Sequence, residues 1–160
     1  MFFEKANIDD LDSLVKLRIE YLVEDYGDIS KNKLTQISEK LPGYYHKHLN
    51  KDLFVYVCRA DNDIVSCCFL YIAEKPSNPT FINGKIGTVL NVYTKPEYRR
   101  KGVAGKLLKL LISDSEKMEL DYVELKATDS GYNLYKSIGF EDVISKYHNM
   151  KFVLNSKNKF

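Results

Sequence analysis

Eight consecutive residues, Arg99-Arg100-Lys101-Gly102-Val103-Ala104-Gly105-Lys106, hold the strongest chemical signal in the chain. They stand between a predicted strand and a predicted amphipathic helix. The start of a helix presents backbone N–H groups without partners and the positive end of the helix dipole, which together suit an anion such as a pyrophosphate. Gly102, Ala104 and Gly105 are small enough to let a phosphate approach the backbone, and the basic residues ahead of them add charge. Two familiar phosphate loops are excluded. Gly105-Lys106 is followed by Leu107 rather than Ser or Thr, and Arg100 stands where a Walker A loop needs glycine. The G-x-G-x-x-G order of a dinucleotide fold is also absent. A basic turn leading into a tightly packed helix is the plainer reading of the same residues.

Other polar groups are less directed. Glu20, Glu24, Asp25 and Asp28 gather near the end of the first predicted helix, where they could attract a cation or form a solvated face. His46 and His48 flank Lys47 with no third ligand near, so no metal is expected. Cys58, Cys67 and Cys68 are odd in number, which argues against a disulfide framework. They read as reduced core thiols of a cytoplasmic protein.

The elements that must position these residues follow from periodicity and punctuation. Phe2 to Ala6 is a short strand. Asp9 or Asp10 can cap a helix whose apolar positions are Leu11, Leu14, Val15 and Leu22. A second helix spans about Lys31 to His48, with an interruption expected at Pro42-Gly43. Leu53–Arg59 and Ile64–Ala73 form a hairpin around Asp61-Asn62-Asp63. Ile86–Thr94 is a strand stopped by Pro96. Ala104, Leu107, Leu108, Leu111 and Ser115 then share a helical face. Tyr122–Ala127 reads as a strand, Tyr132–Ser137 as a short helix closed by Gly139, and Tyr147–Leu154 as a last strand. Asn155–Phe160 is a polar tail. The order implies one α/β domain over residues 1–160, a mixed sheet with helices on both faces.

Composition bounds the partners. The 160 residues are 44% apolar and 29% charged, as in folded soluble proteins, and the net charge of +2 gives no global drive toward nucleic acid or anionic lipid. No apolar run is long enough to span a bilayer, and the N-terminus lacks the order of a signal peptide.

Arg99-x-x-Gly102-x-Ala104 resembles the (Q/R)-x-x-G-x-(G/A) acyl-CoA signature of the GNAT superfamily of N-acetyltransferases. Leu90–Tyr98 is similar to that family's fourth strand and loop entry, and Leu134-Tyr135-Lys136-Ser137-Ile138-Gly139-Phe140 to its (L/F)-Y-x-x-x-G-F segment. The resemblance implies a mostly antiparallel sheet splayed between its fourth and fifth strands, with the pantetheine arm of acetyl-CoA in the gap. It implies that backbone groups of Val92 and Thr94 bond that arm, with the Val92 N–H polarising the thioester carbonyl. It implies that backbone N–H groups from about Lys101 to Lys106 hold the pyrophosphate. Tyr135 matches the position where many relatives keep a general acid beside the sulfur. Thr88 occupies the position where some relatives carry a glutamate base, so a simple glutamate mechanism is not expected.

The resulting expectation is transfer of an acetyl group from acetyl-CoA to a primary amine of a small molecule or peptide. No nucleic acid, membrane or metal is expected, and a homodimer is allowed. A GNAT-fold module that binds acyl-CoA without turnover is the alternative. An unrelated anion-binding interaction domain is a third reading.

Overall fold

The computed structural model describes residues 1–154. The expected tail Asn155–Phe160 lies outside them. Along the chain come β1 (Phe2–Lys5), a 3₁₀ turn (Ile8–Asp10), α1 (Leu11–Tyr26), α2 (Lys31–His48), β2 (Leu53–Ala60), β3 (Asp63–Glu74) and β4 (Lys85–Thr94). A second 3₁₀ turn (Pro96–Tyr98), α3 (Val103–Lys117), β5 (Tyr122–Glu124) and α4 (Asp129–Ile138) complete it. The five strands lie in sequence order; β1 to β4 pair antiparallel and β4 with β5 parallel.

Both faces of the sheet are covered because successive strand side chains alternate between faces. Leu53, Val55 and Val57 of β2, with Cys67 and Phe69 of β3, join Leu14 and Leu17 of α1 and Tyr45 of α2 in one core. Tyr56, Cys58, Cys68 and Leu70 meet Leu107, Leu108 and Leu111 of α3 in the other. All three cysteines are free and buried.

Four local expectations are corrected. Asp10 does stand at the N-cap position of α1 but gives that helix no side-chain cap; it belongs to the box that starts the preceding 3₁₀ turn, where Asn7 accepts from the Asp9 N–H at 2.8 Å and Asp10 accepts in return from the Asn7 N–H at 3.0 Å. Asp10 also receives Arg59 at 2.8 Å, so its carboxylate is not free to cap α1. Pro42 does not interrupt α2, which is continuous and capped by Ser30. Burial of Tyr45 and Leu49 in the core beyond it holds the last turn in place. The fifth strand ends at Glu124 rather than Ala127, because only Ile86–Thr88 of β4 pair with it. The expected last strand, Tyr147–Leu154, has no ladder partner among the described residues.

Candidate functional site

Pairing between β4 and β5 stops at Thr88↔Glu124, yet β4 runs six residues further, to Thr94. With β5 ended, the C-terminal half of β4 has no strand on that side among the described residues. The sheet is therefore open there, and residues of α3 and α4 line the opening.

Within that half lies a bulge. Cys67 pairs with Tyr93 and Phe69 with Leu90, so Asn91 and Val92 together face Cys68. Asn91 carries the distortion with φ at 51°, the left-handed region that asparagine tolerates better than most residues. Its side chain is held on both sides. Arg18 of α1 donates to Asn91 Oδ1 at 2.9 Å, and Asn91 Nδ2 donates to Cys67 Sγ at 3.3 Å. Burial pushes the Cys67 thiol up to about 12, so this sulfur is a neutral partner.

Past Thr94 the chain makes one 3₁₀ turn and enters the basic loop. Arg100 has φ at 59° and Gly102, the N-cap of α3, at 74°. Gly102 offers no side-chain cap, and the first helical N–H to find a carbonyl is that of Lys106, on Gly102 O at 3.1 Å. The N–H groups of Val103, Ala104 and Gly105 precede it and have no carbonyl one turn back. A Cβ on Gly102 would meet nothing within 4 Å, so the space over this helix end is open.

These features share one cleft of about 790 Å³. Val92, Thr94, Arg99, Arg100, Gly102, Val103, Ala104, Gly105 and Tyr135 all line it. Lys101 and Lys106 do not: Lys101 lies over the Tyr98 ring and Lys106 over the Phe3 ring. Arg99 is turned toward α1, with its Nη2 on Glu24 Oε2 at 2.5 Å and its Nε on Thr94 O at 2.7 Å. Hydrogen bonding to Glu24 holds its guanidinium pKa above the ordinary value. Thr88 lies at the paired end of β4, opposite Glu124 and away from the cleft.

Tyr135 stands on α4 in the second core, edge-on to Phe140 at 6.0 Å. Desolvation pushes its phenol up to about 12. It is therefore neutral, and a donor, throughout the physiological range. Across the cleft are Tyr21, Glu24 and Asp25 of α1, with the Tyr21 hydroxyl donating to Asp25 at 3.3 Å. Two of the four acids gathered near the end of α1 thus reach the cleft.

Sequence reasoning missed Asn91 and Arg18, although an asparagine inside a β-branched strand is itself a bulge signal. It also missed Thr128, which lines the cleft and caps α4 by accepting from the Gly131 N–H at 3.3 Å. Thr128 followed by Asp129 and Ser130 carries the composition of a helix start and sets α4 three residues earlier than expected.

An anion cradle, an open strand end and a neutral phenol within one cleft suit an extended thiol ester ending in phosphates. Residues 51–142, more than half of the chain, match the family described as acetyltransferase (GNAT) domain. Similar solved structures include a predicted acetyltransferase from Clostridium acetobutylicum with acetyl-CoA, 24% identical over 94% of this chain and 95% of that one, at a TM-score of 0.83. A GCN5-related N-acetyltransferase from Ralstonia eutropha is 20% identical over 93% and 97% of the two chains, at 0.76. A ribosomal-protein-alanine N-acetyltransferase from Brucella melitensis is 18% identical over 95% and 100%, at 0.68. Among curated proteins none matches the chain at a significant level.

Proposed function

The chain belongs to the GNAT acetyltransferase family, and on that premise we propose that residues 1–160 act as one domain that moves an acetyl group from acetyl-CoA to a primary amine. The observation that carries this reading is the shared cleft. The uncapped start of α3, the bulged end of β4 and the Tyr135 phenol all open into it.

The residues fit the donor. The N–H groups of Val103, Ala104 and Gly105 hold the pyrophosphate, and Arg100 adds charge at the rim. Gly102 keeps a side chain out of the space over them. Val92 and Thr94 bond the pantetheine arm through their backbones. The bulge at Asn91 releases one residue from the ladder, and the Val92 N–H is then available to polarise a carbonyl. Bound acetyl-CoA supplies the acyl group on a thiolate leaving group.

The acceptor enters past α1. Asp25 attracts its ammonium form, and it attacks after losing a proton to water, since no carboxylate stands at Thr88. Tyr135 holds the proton that meets the sulfur as it leaves. A small-molecule amine and a peptide amine both suit this entrance.

A screen of amines with release of CoA thiol as the readout tests the proposal. Saturable release that depends on both acetyl-CoA and one class of amine is expected. Tight CoA binding with no amine-dependent release across the screen would overturn it in favour of a binding module.

A further inference from the structure

The chain has four arginines. Arg59 ties Glu4 to Asp10, Arg99 is paired with Glu24, and Arg100 stands at the rim of the phosphate cradle. Arg18 of α1 remains. It is half-buried, and its one hydrogen bond among the described residues goes to Asn91 Oδ1, a neutral oxygen. A guanidinium offers five N–H donors, so most of them are still unused. Arginine is seldom taken out of water without an anion beside it.

The surroundings of Arg18 are short of acceptors. Its guanidinium lies over the Tyr21 ring, 5.5 Å from the centroid. Burial raises the phenols of Tyr44 and Tyr45 on α2 above their ordinary value, and the positive charge of Arg18 pulls both back, so it acts on each. The Tyr45 hydroxyl is buried without a hydrogen-bond partner among the described residues. Cys67 Sγ is already engaged with Asn91. The corner between α1, α2 and the β4 bulge thus holds donors in excess and a full positive charge. A carboxylate brings lone pairs and a negative charge, the two things this corner lacks.

The corner also adjoins the reacting groups. Asn91, which Arg18 holds, directly precedes Val92. Tyr21 lines the cleft, and its hydroxyl donates to Asp25 at 3.3 Å. Arg18 and Asp25 lie seven positions apart in α1, two turns along one face and about 10 Å along the axis. One stripe of α1 therefore sets a cation toward the bulge and an anion at the entrance, with one aromatic ring between them.

Resting on the acetyl-transfer reading above, we propose that the acceptor is a small amino acid and that Arg18 binds its carboxylate. Asp25 attracts the ammonium end, and Arg18 fixes the other end. A guanidinium–carboxylate pair sets orientation as well as position, which an attacking amine needs. The N–C bond then forms as the C–S bond breaks. The amine's proton goes to water, and CoA leaves as the thiol with the proton from Tyr135, which water replaces. A peptide with a neutral first residue has no carboxylate to offer and would leave Arg18 unpaired.

Thiol release is measured with acetyl-CoA and the standard amino acids, β-alanine and 4-aminobutyrate, each beside its carboxamide, and with trialanine amide as the peptide. At least one acid should exceed its amide by about tenfold or more in kcat/KM. The amide has the less basic amine, more of it neutral at a given pH, so this preference runs against amine reactivity. Arg18→Gln should bring the ratio near one. Asn91→Gly, which removes the bond to Arg18 but keeps the guanidinium, should preserve the ratio. A parent that accepts amides or the peptide as well as acids overturns the proposal, and so does a folded Arg18→Gln that keeps the preference. Should that variant fail to fold, Arg18→Lys decides: it keeps the charge without the fork, so the preference should shrink, and an unchanged ratio refutes the assignment. Release with uncharged amines alone sinks only this inference, whereas no release with any amine brings down the acetyl-transfer reading and this inference with it.

Discussion

Replacing Asn91 tests whether the bulge in β4 is what opens the donor slot. Alanine at this position loses twice. A Cβ-bearing residue without a local hydrogen bond in the left-handed region costs roughly 1–2 kcal/mol. The bond from Arg18 to Asn91 Oδ1, at 2.9 Å, joins a cation to a neutral oxygen, and such bonds are worth roughly 1.5–3 kcal/mol. Arg18 is only half-buried, so the lower part of that range applies. The expected loss for Asn91→Ala is therefore about 3 kcal/mol. In a chain of this size that is a fall in Tm of roughly 6–12 °C. Glycine separates the two parts, because it adopts the left-handed backbone freely but forfeits the Arg18 bond. Asn91→Gly should therefore keep the bulge and most of kcat. Asn91→Ala is pressed toward regular pairing, a slip that turns Val92 and Thr94 to the opposite faces. Thermal melts and steady-state kinetics by thiol release, run side by side on both variants, read this. If glycine damages kcat as much as alanine does, the left-handed backbone is not what shapes the slot. If alanine leaves both Tm and kcat unchanged, the clamp has no role.

Tyr135→Phe should lower kcat by about 100-fold with little change in acetyl-CoA affinity, because the phenol meets a charge that develops only as the sulfur departs; steady-state kinetics beside calorimetry checks this, and an unchanged kcat with chemistry rate-limiting removes the residue from the mechanism. The same phenol, held near 12 against about 10 in the unfolded chain, contributes stability that is complete below pH 10 and lost as pH rises toward 12. Accordingly kcat should show no alkaline limb from Tyr135 below pH 10, and a limb near 8–9 that vanishes in Tyr135→Phe contradicts the burial argument. Gly102→Glu places a carboxylate where phosphate oxygens must sit, a repulsion of ~4 kcal/mol for unit charges 4 Å apart at an effective dielectric of 20. CoA binding by calorimetry should fall at least 100-fold, and unchanged affinity in a folded variant moves the cradle elsewhere. Affinity for CoA should also fall with added salt, and the fall should be shallower in Arg100→Ala than in Arg99→Ala, since Arg99 is already paired with Glu24; equal slopes refute that division.

The order of elements and the position of the cradle were legible because they depend on local signals. Runs of β-branched, aromatic and cysteine residues on either side of Asp61-Asn62-Asp63 mark β2 and β3, and a change of period at Gly102 marks α3. The residues expected at the site were mostly brought to one cleft because they sit at element ends that face one opening. What was not legible depends on contacts distant in sequence. The length of β5 is set by where β4 stops pairing, and nothing in Leu125-Lys126-Ala127 announces it. Pro42 reads locally as a breaker, yet the burial of Tyr45 decides. Arg99 and Arg100 look equivalent in the sequence, and only the position of Glu24 assigns them different tasks. The Tyr147–Leu154 pattern reads locally as a strand, but a strand also needs a ladder partner, and among the described residues this segment has none.

The two clasps that fix the slot, Arg18 on Asn91 and Arg99 on Glu24, join residues 73 and 75 positions apart. The β2–β3–β4 meander, by contrast, closes through neighbouring segments. Contacts between remote segments carry the larger loop-closure cost and so tend to form late. During refolding the sheet should therefore regain its circular dichroism before it can bind CoA, and ligand binding becomes a clock for the last step of assembly. A chain still emerging from the ribosome would hold α1 early but lack β4, so nothing along the way could engage the donor until the fold is nearly whole.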